Sequence, residues 1–245
     1  MNSKEKVKFI SNWIKNYVDQ MPSKAQSLVL GISGGIDSSV SSTLSAMTGL
    51  RTIVLTMPIN QKKDQHDLSL KHQDWLIKNF QNVEAHTISL DNLFETFLST
   101  LNKFNNEHGF ANSRARLRMT TLYQVASANK GIVVGTGNKV EDFGVGFYTK
   151  YGDGGVDISP IADCNKTEVW ELGKELGILK EIIDAPPTDG LWDDGRTDEG
   201  QLGFKYQDLE DAMKNPNSTH RQEYEKIRKQ NLHKMEPIPV CKIPS

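Results

Sequence analysis

An apolar run that breaks at glycines and resumes as a helix is the feature that most restricts what this chain can fold into. Residues 27–32, Ser27-Leu28-Val29-Leu30-Gly31-Ile32, are too short and too uniformly apolar for a surface helix and suit a strand buried on both faces. Ser33-Gly34-Gly35 interrupts the run, and residues 37–47 read as a helix. A strand that feeds a helix through a glycine turn gathers several backbone N–H groups and a helix N-terminus at one point, where anions bind. Gly34 and Gly35 permit close approach and left-handed backbone angles, while Ser33, Ser38 and Ser39 add hydroxyl donors. Asp37 gives the turn its chemistry. A carboxylate facing phosphates repels them unless a Mg²⁺ lies between. Gly-Lys-Ser/Thr is missing, so this is not a Walker A loop.

The chain then alternates. Strands are expected at 51–58, 83–89 and 131–135, with a short extended piece at 158–160. Helices are expected at 64–80, 112–129 and 165–176, the last stopped by Gly177. An amphipathic opening helix carries Val7, Ile10, Ile14, Tyr17, Val18 and Met21 at spacings of three and four. Asp91 reads as the N-cap of a helix whose Leu93, Phe94, Phe97, Leu98, Leu101 and Phe104 make one apolar stripe. This alternation predicts an α/β fold of Rossmann-like, doubly wound type, a parallel sheet covered on both faces, with ligands beyond the carboxyl ends of the strands. The glycines, prolines and acids of 185–200 predict a flexible loop at about 188–200.

The 245 residues suit one domain, 1–245. With 29 basic and 31 acidic residues, a net charge of −2, no nucleic acid or anionic membrane is expected as partner. No apolar run reaches the roughly 20 residues of a membrane span, and the N-terminus, with Lys4, Lys6 and Lys8, lacks a signal-peptide core, so a cytoplasmic location is expected. Cys164 and Cys241 read as free thiols.

Gly31-Ile32-Ser33-Gly34-Gly35-Ile36-Asp37-Ser38 resembles the Ser-Gly-Gly-x-Asp-Ser loop of the PP-loop ATP pyrophosphatases, an adenine nucleotide alpha hydrolase-like class that cleaves ATP between the α- and β-phosphates. Later motifs narrow the class. Asn112-Ser113-Arg114-Ala115-Arg116-Leu117-Arg118-Met119, Gly135-Thr136-Gly137-Asn138 with Glu141, Lys150-Tyr151-Gly152-Asp153-Gly154-Gly155-Val156-Asp157, Asn165-Lys166-Thr167-Glu168, Ala185-Pro186-Pro187-Thr188 and His233-Lys234 follow in that order. Together they resemble the ammonia-dependent NAD synthetase family over nearly the whole chain.

The resemblance implies ATP binding by Gly31 to Ser38 with Thr136, Lys166 and Thr188, and Mg²⁺ held by Asp37 and Glu141. It implies contacts of Arg116, Lys150, Asp157, His233 and Lys234 with a nicotinate nucleotide. Lys166 would offset charge on the departing pyrophosphate, and Asp37, Lys166 and Asp157 are the expected catalytic residues, with Asp153 or Asp157 positioning ammonium. The chain has no room for an amidase domain, so free ammonia is the expected nitrogen donor. The implied reaction amidates the nicotinate carboxylate of deamido-NAD through an acyl-adenylate and yields NAD, AMP and pyrophosphate. Nicotinate mononucleotide is the alternative acceptor. The stretches 188–200 and 60–64 are candidate lids, and a homodimer is implied. The rivals are a tRNA-modifying PP-loop enzyme, disfavoured without a broad basic surface, and a nucleotide-binding module without chemistry.

Overall fold

The computed structural model describes residues 1–61, 63–188 and 197–244. Helix α1 (Ser3–Gln20) starts at a capping box in which Asn2 and Glu5 exchange hydrogen bonds, and it buries Val7, Ile10, Ile14 and Val18. Four strands follow, β1 (Ser27–Gly31), β2 (Thr52–Thr56), β3 (Val83–Thr87) and β4 (Gly131–Val133), each a little shorter than the sequence suggests. They form one parallel sheet in the order β3-β2-β1-β4. Ile158 extends it by a single parallel bridge to Val134, the remnant of the expected strand at 158–160.

Between strands run α2 (Ile36–Met47), α3 (Lys63–Asn79), α4 (Asp91–Thr100), a 3-10 turn (Asn102–Phe104) and α5 (Glu107–Ala128). After β4 come a π-helical turn (Lys139–Val145), α6 (Lys166–Glu175), α7 (Lys180–Ile183), α8 (Asp198–Leu202), α9 (Tyr206–Lys214) and α10 (Arg221–Met235). Leu28, Leu30, Val54 and Ile132 point to the side packed by α1, α2, α3 and α6, while Val29, Ile53, Leu55 and Val133 point to Phe94 of α4 and Ala126 of α5. Side chains alternate along a strand, so strands apolar at every position must be covered twice. A third cluster joins Val140 and Val145 of the π-helical turn to Tyr206, Leu209 and Ala212 of α9 and Tyr224 of α10.

Strand order reverses between β1 and β4, since the chain moves out to β3 and then returns past β1 to β4. Such a switch point opens a crevice at the carboxyl ends of the two strands. The turn after β1 and the turn after β4 therefore face each other.

Three expectations change on contact with the structure. Asp91 does not cap α4, because its carboxylate accepts the Asn60 N–H at 2.6 Å and the Ser89 hydroxyl at 2.7 Å. The aromatic stripe divides: Phe94 is buried, whereas Leu93 and Phe104 are 51% and 77% exposed. Helix α5 begins five residues earlier than Asn112, capped by Asn106, whose side chain accepts from Gly109 N–H at 2.7 Å. The expected loop at 188–200 lies outside the described residues over 189–196, as does Lys62 of the stretch 60–64.

Candidate functional site

Helix α2 starts directly at the glycine turn. Gly34 holds φ at +87°, in the region that glycine enters without steric cost, and Gly35 is an N-cap without a side-chain hydrogen bond. Ser38 Oγ donates to Gly35 O at 3.1 Å and lies 3.0 Å from Ser33 Oγ. The hydroxyls thus brace the turn and leave the α2 N-terminus facing the crevice, with the positive end of the helix dipole directed at a ligand. Most of the next two turns of α2 are buried serine and threonine; the hydroxyls of Ser39, Ser42, Thr43 and Ser45 return to the helix's own carbonyls or its N-cap, as Thr43 does to Ser39 O at 2.7 Å, whereas that of Ser41 has no such partner. Small residues let α6 approach closely, and at Gly173 a Cβ would lie 2.6 Å from Ile36 Cδ1. That contact delivers Lys166, the first residue of α6, to the crevice.

Lys166 is fully buried and donates to two acids, Asp37 Oδ2 at 2.6 Å and Glu141 Oε1 at 2.8 Å. Asn138 links the same acids from β4's side. Its Nδ2 donates to Asp37 Oδ1 at 3.0 Å, and its Oδ1 accepts from the N–H groups of Val140 and Glu141. Burial would drive the Lys166 ammonium down, but the charges of Asp37 and Glu141 and their hydrogen bonds hold it above its ordinary value. Burial raises the carboxyl of Asp37 in spite of Lys166. Burial also opposes the charge on Glu141, yet Lys166 and the hydrogen bonds from Lys166, Tyr206 and Asn138 hold its carboxyl below the usual value.

Two carboxylates aimed at one buried cation supply the hard oxygen donors that a divalent ion takes beside substrate phosphates. Among the described residues no group of three or more His, Cys, Asp or Glu could hold a metal alone. The donor set therefore fits a cation that a bound triphosphate helps to coordinate, and Lys166 spans the gap between the acids meanwhile.

A cleft of about 230 Å³ runs from this point along α5. Gly31, Ile32, Ser33, Asp37, Ser38, Thr136, Glu141 and Thr188 line its end at the glycine turn; Ala115 and Met119 of α5 line it further along with the turn carrying Gly152, Asp153 and Gly155. Gly137 is also required there, because a Cβ would fall 1.8 Å from Asp142 Oδ2. Burial raises Asp142 well above the carboxylate range, with the charges of Asp153, Glu141 and Asp37 adding to the rise.

Four of the expected nucleotide contacts meet beside that turn. Arg116 donates through Nε and Nη2 to Lys150 O, both at 3.4 Å, Lys150 Nζ donates to His233 O at 3.1 Å, and Lys234 Nζ donates to Tyr148 O at 3.0 Å. Asp157 is held elsewhere. Its carboxylate accepts the Tyr123 hydroxyl at 3.1 Å and the Val133 N–H at 2.7 Å, so it ties α5 to β4. Asn138, which bonds the Asp37 carboxylate and the Glu141 N–H, and Tyr206, whose hydroxyl bonds the Glu141 carboxylate, have no role that the sequence alone assigns. Asn138 stood in the Gly135-Thr136-Gly137-Asn138 motif, whereas Tyr206 carried no signal. Cys164 is buried, and burial pushes its thiol up to about 11, which leaves it a poor nucleophile.

A doubly wound α/β protein whose glycine turn, helix N-terminus, two acids and lysine converge at the strand switch point is a nucleotide-binding enzyme of the PP-loop kind. The chain belongs to the NAD synthase family, whose sequence model matches residues 6–243. It is 36% identical over 216 residues to the NH(3)-dependent NAD(+) synthetase of Carboxydothermus hydrogenoformans, covering 86% of this chain and 85% of that one. It is 35% identical over 237 residues to the same enzyme of Finegoldia magna, covering 96% and 94%. Its fold matches that of NMN synthetase from Francisella tularensis with a TM-score of 0.91 at 33% identity, over 99% and 100% of the two chains. Membership makes the protein a ligase that forms a carbon–nitrogen bond. Among the described residues no helix is long and apolar enough to cross a membrane.

Proposed function

We propose that the protein amidates the nicotinate carboxylate of deamido-NAD with ammonia, at the expense of ATP, giving NAD, AMP and pyrophosphate. The observation that carries this reading is the meeting of Asp37, Glu141 and Lys166 at the N-terminus of α2. The turn 33–35 and the first N–H groups of α2 receive the triphosphate, with Thr136 and Thr188 on the opposite wall. Asp37 and Glu141 would hold Mg²⁺, which neutralises phosphate charge when bound. The Lys166 ammonium, held between these acids at the N-terminus of α2, stands where it would meet the negative charge that builds on the departing pyrophosphate.

Arg116, Lys150, His233 and Lys234 hold the nicotinate nucleotide on the far side of Gly152 and Asp153, so that its carboxylate enters the cleft. A carboxylate oxygen attacks the α-phosphorus and the bond to pyrophosphate breaks. Ammonia then attacks the acyl carbon of the adenylate, AMP departs with the electrons of the broken carbon–oxygen bond, and the nitrogen gives up one proton to water to leave the amide. Asp153 lines the cleft and accepts the Thr149 N–H at 2.9 Å, which sets it to orient ammonium there.

A second reading has nicotinate mononucleotide as acceptor and nicotinamide mononucleotide as product. It is favoured by the match to NMN synthetase at a TM-score of 0.91, against 0.79 for NH3-dependent NAD synthetase from Campylobacter jejuni, which is 23% identical. Turnover of deamido-NAD and of nicotinate mononucleotide, each with saturating ATP and ammonium, separates the two. A kcat/KM higher for the dinucleotide supports the first reading, and the reverse order overturns it. We also take the protein to be a homodimer, since Leu93 and Phe104 leave part of their stripe exposed; light scattering tests this.

A further inference from the structure

Tyr206 opens α9 and is fully buried. Its hydroxyl donates to Glu141 Oε1 at 2.5 Å, while Asp198 Oδ2 stands 3.3 Å from the same phenol oxygen. A phenol has one proton, so the shorter contact takes it and Glu141 is the acceptor. The ring has a second task. Its centroid lies 4.9 Å from Lys166 Nζ, and Trp170 packs edge-on against its other surroundings at 5.9 Å, with planes at 86°. One side chain thus touches both the acid and the ammonium that the proposed chemistry requires. Its backbone N–H donates to Glu199 Oε1 at 3.1 Å, and Asp198 N–H donates to Pro187 O at 3.0 Å, next to Thr188 of the cleft.

We infer that Tyr206 is a positioning residue for cation binding. Its hydroxyl fixes the rotamer of Glu141, so that the acid stays aimed at the crevice when Lys166 leaves it for phosphate. Among the described residues, Glu141 without that donor would keep only Lys166 and Asn138 as side-chain partners at the crevice, and it would follow the lysine. Partners of metal-binding carboxylates commonly alter metal affinity by about 10- to 100-fold. The inference rests on Glu141 serving a divalent cation, as proposed above.

The test is Tyr206→Phe, which keeps the ring against Lys166 and Trp170 and removes only the hydroxyl. The free Mg²⁺ needed for half-maximal turnover at saturating ATP should rise about tenfold or more. Binding of Mn²⁺ to the enzyme with a non-hydrolysable ATP analogue, followed by calorimetry, should weaken by a like factor, and saturating Mg²⁺ should restore most of kcat. Trp170→Phe, which loosens the packing and keeps the hydroxyl, should lower the melting midpoint and leave the Mg²⁺ requirement as it was. Incorporation of 4-aminophenylalanine at position 206 restores an N–H donor and should restore the wild-type requirement, which tests the inference even if the phenylalanine variant does not fold. An unchanged Mg²⁺ requirement in Tyr206→Phe, an equal shift in Trp170→Phe, or no rescue by the amino analogue overturns it. A wild-type enzyme that needs no divalent cation would instead overturn the role proposed for Glu141.

Discussion

The side-chain amide of Asn138 donates to Asp37 Oδ1 at 3.0 Å while its oxygen accepts from the N–H of Glu141, so one residue binds together two acids that stand 104 positions apart in the chain (141 − 37). It does so at the strand switch point, from the turn after β4 to the first turn of α2. The spacing of the acids is therefore a property of the sheet and not of either loop alone.

Asn138→Ala should remove that link. Both the carboxylate and the two N–H groups lose a buried partner, which costs about 1–3 kcal/mol of stability. Chemical denaturation measures the loss, and turnover assayed against Mg²⁺ should show a raised requirement. Unchanged values in both would deny Asn138 its bridging role.

Lys166→Met should leave Asp37 and Glu141 facing each other without the ammonium. Breaking a buried ion pair from one side costs about 3–5 kcal/mol. A divalent cation should replace part of what is lost, so millimolar Mg²⁺ should raise the melting midpoint of the variant more than that of the wild type. Turnover should fall at least about 100-fold, because the leaving pyrophosphate loses its charge partner. Equal responses to Mg²⁺ would contradict a shared cation position.

His72, buried in α3, pairs with Ser42 Oγ at 3.0 Å and stacks on Trp75. Burial pushes its imidazole down to about 4, only partly opposed by its contact with Ser39. The unfolded chain therefore takes up this proton at a higher pH than the folded one. Stability from this group is complete above the unfolded value, 6.5, and is lost as pH falls toward 4, by up to about 3 kcal/mol. Denaturation at pH 7 and pH 4.5 should show a smaller drop for His72→Gln than for the wild type. A drop of the same size would show that His72 is not the group responsible.

Asp157→Ala should act on the sheet before it acts on substrate. The Val133 N–H loses its acceptor at the end of β4, a cost of about 1–3 kcal/mol. A lowered denaturation midpoint with little change in KM for the nicotinate nucleotide would follow from the observed bonds. A large rise in KM at unchanged stability would return Asp157 to the substrate.

The layers, the parallel sheet and the glycine turn were legible because each rests on neighbours in sequence: an apolar run such as 27–32, then glycines, then a helix. Glu141 and Lys166 were legible only through the resemblance, since nothing local marks a loop acid or a first-turn lysine as buried. Tyr206 could not be read at all. Its contact with Glu141 spans 65 residues and forms only when α9 closes over the π-helical turn. Asp91 misled for a related reason, because a carboxylate that looks like a cap can equally accept a backbone N–H brought from afar, as from Asn60. The sequence places the start of α5 too late because its opening residues, Glu107, His108 and Gly109, carry no apolar side chain to set the helical period.

Identification of the nucleotide products is the most direct test of the site's chemistry. Incubation of the protein with ATP, Mg²⁺, ammonium and deamido-NAD or nicotinate mononucleotide should release AMP and pyrophosphate in equal amounts with the amide product. Release of ADP and orthophosphate, or amide formation without AMP, would contradict cleavage between the α- and β-phosphates at Asp37, Glu141 and Lys166.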